Sequence, residues 1–99
     1  MGMSAEEQNY VNALKAQSHA IRHMMGTEGW KLFDEVLAHS EKNAYEASSA
    51  ATDAWNGAKH HGAYHAVKFI RTWAERQLEV IDKNIEAVTQ SAIQRDLHR

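Results

Sequence analysis

The chain has 99 residues, a formal net charge of −2 and seven histidines, and it contains neither proline nor cysteine. A chain of this length fits one domain with a thin core, which buries about 60–65% of the surface that the unfolded chain exposes. The absence of cysteine excludes disulfides and cysteine-bound metals, and the mixed charges argue against a nucleic-acid-binding surface, which needs clustered Lys and Arg.

Helical spacing of apolar residues runs through almost the whole sequence, and the alternating patterns of strands are missing. The sequence therefore predicts an all-α fold in a single helical domain over residues 1–99, with helices at about 4–25, 28–50 and 54–95. The expected architecture is an antiparallel helical hairpin with an additional N-terminal helix and a long C-terminal helix, in an oligomeric bundle.

The first helix is predicted to begin at Ser4, which can form a capping box with Glu7. Gly26 is suited to a left-handed helix end, and Thr27 is suited to cap the second helix. The first helix carries an apolar stripe at helical spacing: Val11, Leu14, Ser18, Ile21 and Met25.

Two interpretations of the second turn remain open. Thr52 or Asp53 could cap a third helix, or the pair Asn56–Gly57 could end the second helix. We favour the first, because no Ser, Thr, Asn or Asp lies just after Gly57 to start a helix there. The second interpretation would shift the pairing of the two helices by about one helical turn.

The third helix carries an apolar stripe with a period of about 3.7 residues, close to that of an 11-residue repeat. Folding it back on the second helix places Trp30 opposite Trp73 and Leu37 opposite Ala66, so that large residues meet at the open end and small ones near the turn. Gly62 would then allow close approach, which offsets the cost of about 1 kcal/mol for glycine in a helix. The predicted hairpin core is Trp30, Phe33, Leu37, Gly62, Ala66, Ile70 and Trp73.

The second helix is too short to cover the far part of the third. The apolar residues there need another cover, which either the first helix or a second copy of the chain can provide. The predicted interface comprises Val11, Leu14, Ile21, Leu78, Ile81, Ile85 and Val88.

His61 and His65 are four residues apart and share a helix face, as do His19 and His23. Imidazoles at this spacing can bind Zn²⁺ or Ni²⁺, but a complete site needs a third and a fourth ligand, and no H-E-x-x-H pattern is present. We therefore interpret His61 and His65 as partly exposed residues beside the hairpin seam, and we predict neither a metal site nor a cofactor.

Catalytic motifs are missing as well. The acidic residues lie at the spacing of a solvated helix surface, and the sequence contains no nucleophile elbow, phosphate loop or calcium loop. Trp30, Trp55 and Trp73 could form a ligand cage, but their positions on the stripes favour packing. The sequence predicts a protein that is not an enzyme.

A Gly-Trp opening, an acidic turn, a glycine within a helix and a final W-x-E-x-x-L motif resemble a family of small helical-hairpin proteins encoded among the virion assembly genes of tailed phages. The resemblance covers about residues 28–85 and implies a structural or assembly role without a reaction. The matching residues are Gly29, Trp30, Leu37, Asp53, Gly62, Trp73, Glu75 and Leu78.

The expected function is that of a non-enzymatic phage structural or assembly protein, which acts through helix–helix interaction as a homo-oligomer. The alternative is a small regulatory or binding module, such as a host-protein inhibitor or a small DNA-packaging subunit. The expected partners are a second copy of the chain and other phage proteins, with neither a membrane nor nucleic acid, in the virion or the host cytoplasm. The polar, acidic opening residues predict no signal peptide, and no apolar run approaches the roughly 18 residues of a membrane span.

Overall fold

The computed structural model describes residues 2–98, which form four α-helices and no strand. The helices are α1 (Ala5–Met25), α2 (Glu28–Ala50), α3 (Ala54–Arg71) and α4 (Trp73–Leu97). The all-α class predicted from the sequence is confirmed. The described residues divide into two compact units, residues 2–24 with 75–98 and residues 25–74. The single domain over residues 1–99 stays a prediction.

Side-chain caps determine where α1 and α2 begin. The Glu7 backbone N–H donates to Ser4 Oγ at 3.1 Å, and the Ser4 N–H donates to Glu7 Oε1 at 2.8 Å, which completes the predicted capping box. The Trp30 N–H donates to Thr27 Oγ1 at 3.2 Å, so the predicted cap of α2 is also confirmed.

The turn between α2 and α3 follows the interpretation that we favoured. Asp53 caps α3, because its Oδ1 accepts the Asn56 backbone N–H at 2.9 Å and its Oδ2 accepts the Asn56 side-chain amide at 2.8 Å. These bonds lower the pKa of Asp53 below its usual value, with the Asn56 backbone N–H as the largest cause. The expected left-handed end at Gly26 is wrong, since no described glycine has a positive φ.

The predicted helix over residues 54–95 is interrupted at Thr72. This residue has φ −94° and ψ 3°, and its hydroxyl donates to the Lys68 carbonyl at 2.9 Å. A threonine hydroxyl that bonds to the preceding turn competes with the backbone ladder and bends helices. The long helix of the prediction is therefore two helices, the second of which continues to Leu97.

The first unit pairs α1 with α4 in antiparallel orientation. Glu7 near the start of α1 bonds Arg95 near the end of α4 through two contacts of 2.7 and 3.2 Å, and Arg22 lies 4.0 Å from Asp82. The first helix thus provides the cover that the far part of the chain needs, one of the two alternatives left open by the sequence. The buried apolar residues of the first unit are Val11 and Leu14 of α1 and Leu78, Ile81 and Ala92 of α4.

The second unit pairs α2 with α3 through positions that repeat every seven residues, alternating steps of three and four. This spacing averages 3.5 residues, the repeat of a coiled coil, and differs from the period of about 3.7 predicted for the stripe of α3. We call these positions the hairpin seam, and all of them are half-buried. They are Trp30, Asp34, Leu37, Glu41, Ala44, Ser48 and Ala51 on one side, and Gly57, His60, Tyr64, Val67 and Arg71 on the other.

Removal of the α2 cap should destabilise the second unit. Thr27→Ala leaves the Trp30 N–H without its side-chain acceptor and should lower the free energy of unfolding by about 1 kcal/mol. Urea unfolding followed by circular dichroism measures the change. Thr27→Ser keeps the accepting oxygen and is the control; equal stability of the two variants would contradict the role of the cap.

The Glu7–Arg95 pair makes a pH-dependent contribution to stability. The Arg95 hydrogen bond is the main cause that lowers the pKa of Glu7 from 4.5 to about 2, and the Ser4 backbone N–H adds to it. Because the folded pKa lies below the unfolded one, this stabilisation is complete above pH 4.5 and is lost as the pH falls towards 2. Between pH 4.5 and pH 2, the thermal unfolding midpoint of wild type should therefore fall further than that of Glu7→Gln.

The matched control for the pH experiment is Glu6→Gln, which removes a carboxylate of the same helical turn. It should retain the wild-type pH dependence. If acidification lowers the unfolding midpoints of Glu7→Gln and wild type by the same amount, the Glu7–Arg95 pair is not formed in solution.

Candidate interaction surface

Arg71 is the central polar residue of the hairpin seam. Its Nε donates to Asp34 Oδ1 at 3.0 Å and its Nη1 donates to Glu41 Oε2 at 3.0 Å. These two bonds raise the pKa of Arg71 above its usual value, with the Asp34 bond as the larger cause. The guanidinium therefore ties α3 to two residues of α2 that lie about two helical turns apart. This role of Arg71 was not predicted from the sequence, although Asp34 and Glu41 are seven residues apart, the repeat of the seam.

The ion pairs also set the register of the hairpin. Because Arg71 bonds carboxylates on both sides of Leu37 along α2, Leu37 lies opposite Arg71 rather than opposite Ala66 as predicted. The observed register differs from the prediction by a little more than one helical turn. No ring contact joins Trp30 to Trp73 among the described residues; the Trp30 ring instead lies 5.8 Å from that of Phe33.

The predicted hairpin core is wrong for most of its residues. Trp30 and Leu37 are half-buried on the seam, but Phe33, Ile70 and Trp73 keep 45%, 47% and 41% of their surfaces exposed. Gly62 and Ala66 are exposed as well. The reason is geometric: the stripe chosen from its large apolar residues lies on the side of α3 away from Gly57, Tyr64 and Arg71, which face α2.

The exposed stripe forms a continuous apolar face, which we call the back face of α3. Trp55 is its most exposed member, at 78%. A set of exposed apolar side chains along one helix face is unusual for a surface that meets only water, and such patches mark contact sites. The back face consists of Trp55, Ala58, Gly62, Ala66, Phe69 and Ile70 of α3, together with Trp73, the first residue of α4.

The glycine of α3 that contacts α2 is Gly57, not Gly62 as predicted. A Cβ on Gly62 would have no atom within 4 Å, so no close neighbour within the described chain requires glycine there. Gly57, which had no role in the sequence analysis, lies on the seam, where a Cβ would meet Ala51 Cβ at 3.8 Å. Its carbonyl accepts a hydrogen bond from Ser48 Oγ at 3.4 Å.

The residues predicted as an oligomer interface lie in the first unit. Four of them are buried there, namely Val11, Leu14, Leu78 and Ile81, and Ile21, Ile85 and Val88 are half-buried. The four buried residues are covered within the chain and present little surface to a second copy. Their role in an oligomer stays a prediction, and the exposed apolar surface of the second unit lies elsewhere.

Aromatic and basic groups gather on one side of the hairpin. Tyr45 and Tyr64 have ring centroids 5.6 Å apart and line an open groove of about 380 Å³ together with Ala38, Glu41, Lys42 and Arg71. His61 and His65 lie next to Tyr64 on α3, and their Nε2 atoms are 2.9 Å apart. Residues 2–98 contain no group of three or more His, Cys, Asp or Glu side chains placed to hold a metal ion.

No protein-family model, curated protein or solved structure matches this chain. Within the described range, no helix combines the length and the apolarity that crossing a membrane requires.

Gly62→Ala should stabilise the single chain, because the added methyl group meets open space and alanine is favoured over glycine in a helix by about 0.8–1 kcal/mol. Urea unfolding at a concentration where single chains predominate measures this gain. The control, Ala58→Gly on the same face, should lose a similar amount. A destabilised Gly62→Ala would show that a neighbour within the chain occupies this space.

Proposed function

We propose that this protein is a non-enzymatic structural or assembly protein of a tailed phage, which acts through helix–helix contacts as a homo-oligomer. The observation that carries the proposal is the back face of α3. It exposes three large aromatic side chains and one isoleucine around a centre of small residues: Trp55, Phe69, Trp73 and Ile70 around Ala58, Gly62 and Ala66.

The spacing of the back face supports a second copy as its partner. The spacing of six of its positions is the same from either end, with steps of three, four, four, four and three residues. These positions are Trp55, Ala58, Gly62, Ala66, Ile70 and Trp73. When a second α3 packs antiparallel against the first, Gly62 therefore lies opposite Ala66 of the other copy, and Trp55 lies opposite Trp73. Such a self-complementary contact is the form that two-fold dimers use.

Small residues at the centre give this contact its closest approach. Glycine inside a helix costs about 1 kcal/mol relative to alanine, and nothing within the described chain fills the space beside Gly62. An approaching helix backbone would use that space and gain van der Waals contact. The tryptophans at the two ends would add the large buried areas typical of interface anchors.

The assignment to a phage virion rests on the resemblance described above, which places Gly62 and Trp73 among its matching residues. These two of its eight matching residues lie on the back face. Other phage proteins are the further partners that the proposal includes, in the virion or in the host cytoplasm.

Light scattering after size exclusion tests the homo-oligomer. Wild type should have a mass above that of one chain at high concentration, and Gly62→Glu should return it to one chain with unchanged helical circular dichroism. Ala63→Glu is the matched control, since it adds the same charge about 100° around the same helix and should leave the oligomer mass unchanged.

A single-chain mass for wild type at every concentration would overturn the homo-oligomer. Two further results would then separate the remaining functions. Recovery of the protein in purified particles would retain the structural role, whereas its absence from particles together with steeply salt-dependent DNA binding would favour a small DNA-packaging subunit.

A further inference from the structure

The His61–His65 pair is held in a defined arrangement by its neighbours. The two rings lie edge to face with centroids 4.3 Å apart. Tyr64 stacks on His61 at 6.4 Å and meets His65 edge-on at 5.2 Å. Tyr64 itself is half-buried on the hairpin seam and packs on Tyr45. Both imidazoles therefore rest against a ring that the fold of the hairpin positions, while remaining exposed to solvent.

The distance between the two Nε2 atoms, which is that of a hydrogen bond, also matches the separation of two nitrogens in a chelate. They lie 2.9 Å apart and share one hydrogen, with one ring as donor and the other as acceptor according to tautomer. Two nitrogens bound at right angles, each about 2.0–2.1 Å from a metal ion, are also separated by about 2.9 Å, whereas a tetrahedral ion such as Zn²⁺ separates them by about 3.4 Å. Right-angled nitrogen coordination is the preference of Cu²⁺ and Ni²⁺.

We propose that His61 and His65 form a bidentate site for Cu²⁺, with water in the remaining equatorial positions. The ring that carries the shared hydrogen on Nε2 changes tautomer, so that both imidazoles carry their hydrogen on Nδ1, both Nε2 lone pairs bind the metal, and no net proton is released. Cu²⁺ takes precedence over Ni²⁺ because it binds nitrogen ligands more tightly in the divalent series. Residues 54–74 contain no Asp or Glu, so this segment of α3 offers nitrogen rather than the carboxylate oxygens that Mg²⁺ and Ca²⁺ require.

A second pair in the same chain separates this arrangement from histidine spacing alone. His19 and His23 are also four residues apart, on α1. Within residues 2–98 neither a hydrogen bond nor a ring contact joins them. If spacing were sufficient, both pairs would bind the metal equally, whereas the positioned pair on α3 should bind it more tightly.

The test is a calorimetric titration of the untagged full-length protein with Cu²⁺, accompanied by electron paramagnetic resonance. Wild type should bind one tight Cu²⁺ per chain, with a spectrum showing two equatorial nitrogens. His61→Ala with His65→Ala should weaken this binding by at least about tenfold. His19→Ala with His23→Ala should leave it unchanged, and circular dichroism should show retained helices in both variants.

Three further measurements can contradict the proposal. Equal Cu²⁺ affinity of wild type and the His61→Ala, His65→Ala variant would place the metal elsewhere. If His19→Ala with His23→Ala lowers the Cu²⁺ affinity as much as His61→Ala with His65→Ala does, the spacing of two histidines alone would account for binding. Affinity that does not decrease between about pH 7.5 and about pH 5.5 would exclude imidazole ligands, which must be deprotonated to bind. The titrations are made at a concentration at which single chains predominate, so the metal site and the proposed function are tested separately.

Discussion

The bonds of Arg71 to Asp34 and Glu41 are the interaction on which the α2–α3 hairpin depends. Neither helix has a fully buried side chain, so burial of apolar surface gives this pair little of the stabilisation that it gives larger domains. A guanidinium that reaches two carboxylates instead fixes both orientation and register. Because solvent screens half-exposed ion pairs, the hairpin stays modest in stability on its own.

Local chemistry made much of the fold predictable. Ser4, Thr27 and Asp53 cap their helices because each presents an oxygen to a backbone N–H three residues ahead, and this depends on no distant contact. The stripe of α1 was predictable for a similar reason, since its apolar residues are few and all lie on one side. The all-α class and the first two helix boundaries follow from these signals.

The face of α3 that packs against α2 could not be predicted from the sequence in the same way. Hydrophobicity favours the side with Trp55, Ile70 and Trp73, yet the seam uses Gly57, Tyr64 and Arg71, whose suitability depends on what α2 places opposite them. The carboxylates of Asp34 and Glu41 make an arginine on the seam favourable. Thr72 is a separate case, because its hydroxyl bonds the Lys68 carbonyl of the preceding turn and interrupts a pattern that is otherwise continuous.

A seam that repeats every seven residues constrains how the length of the hairpin can vary through evolution. One residue inserted within α3 would rotate every later side chain of that helix by about 100° and carry Arg71 away from its two carboxylates. Insertion of seven residues would preserve the rotational phase, but Arg71 would keep both carboxylates only if α2 gained seven residues as well. Divergent copies of this gene should therefore tolerate deletions and duplications at the turns near Thr27 and Asp53, and should change the lengths of α2 and α3 together, in blocks of seven codons.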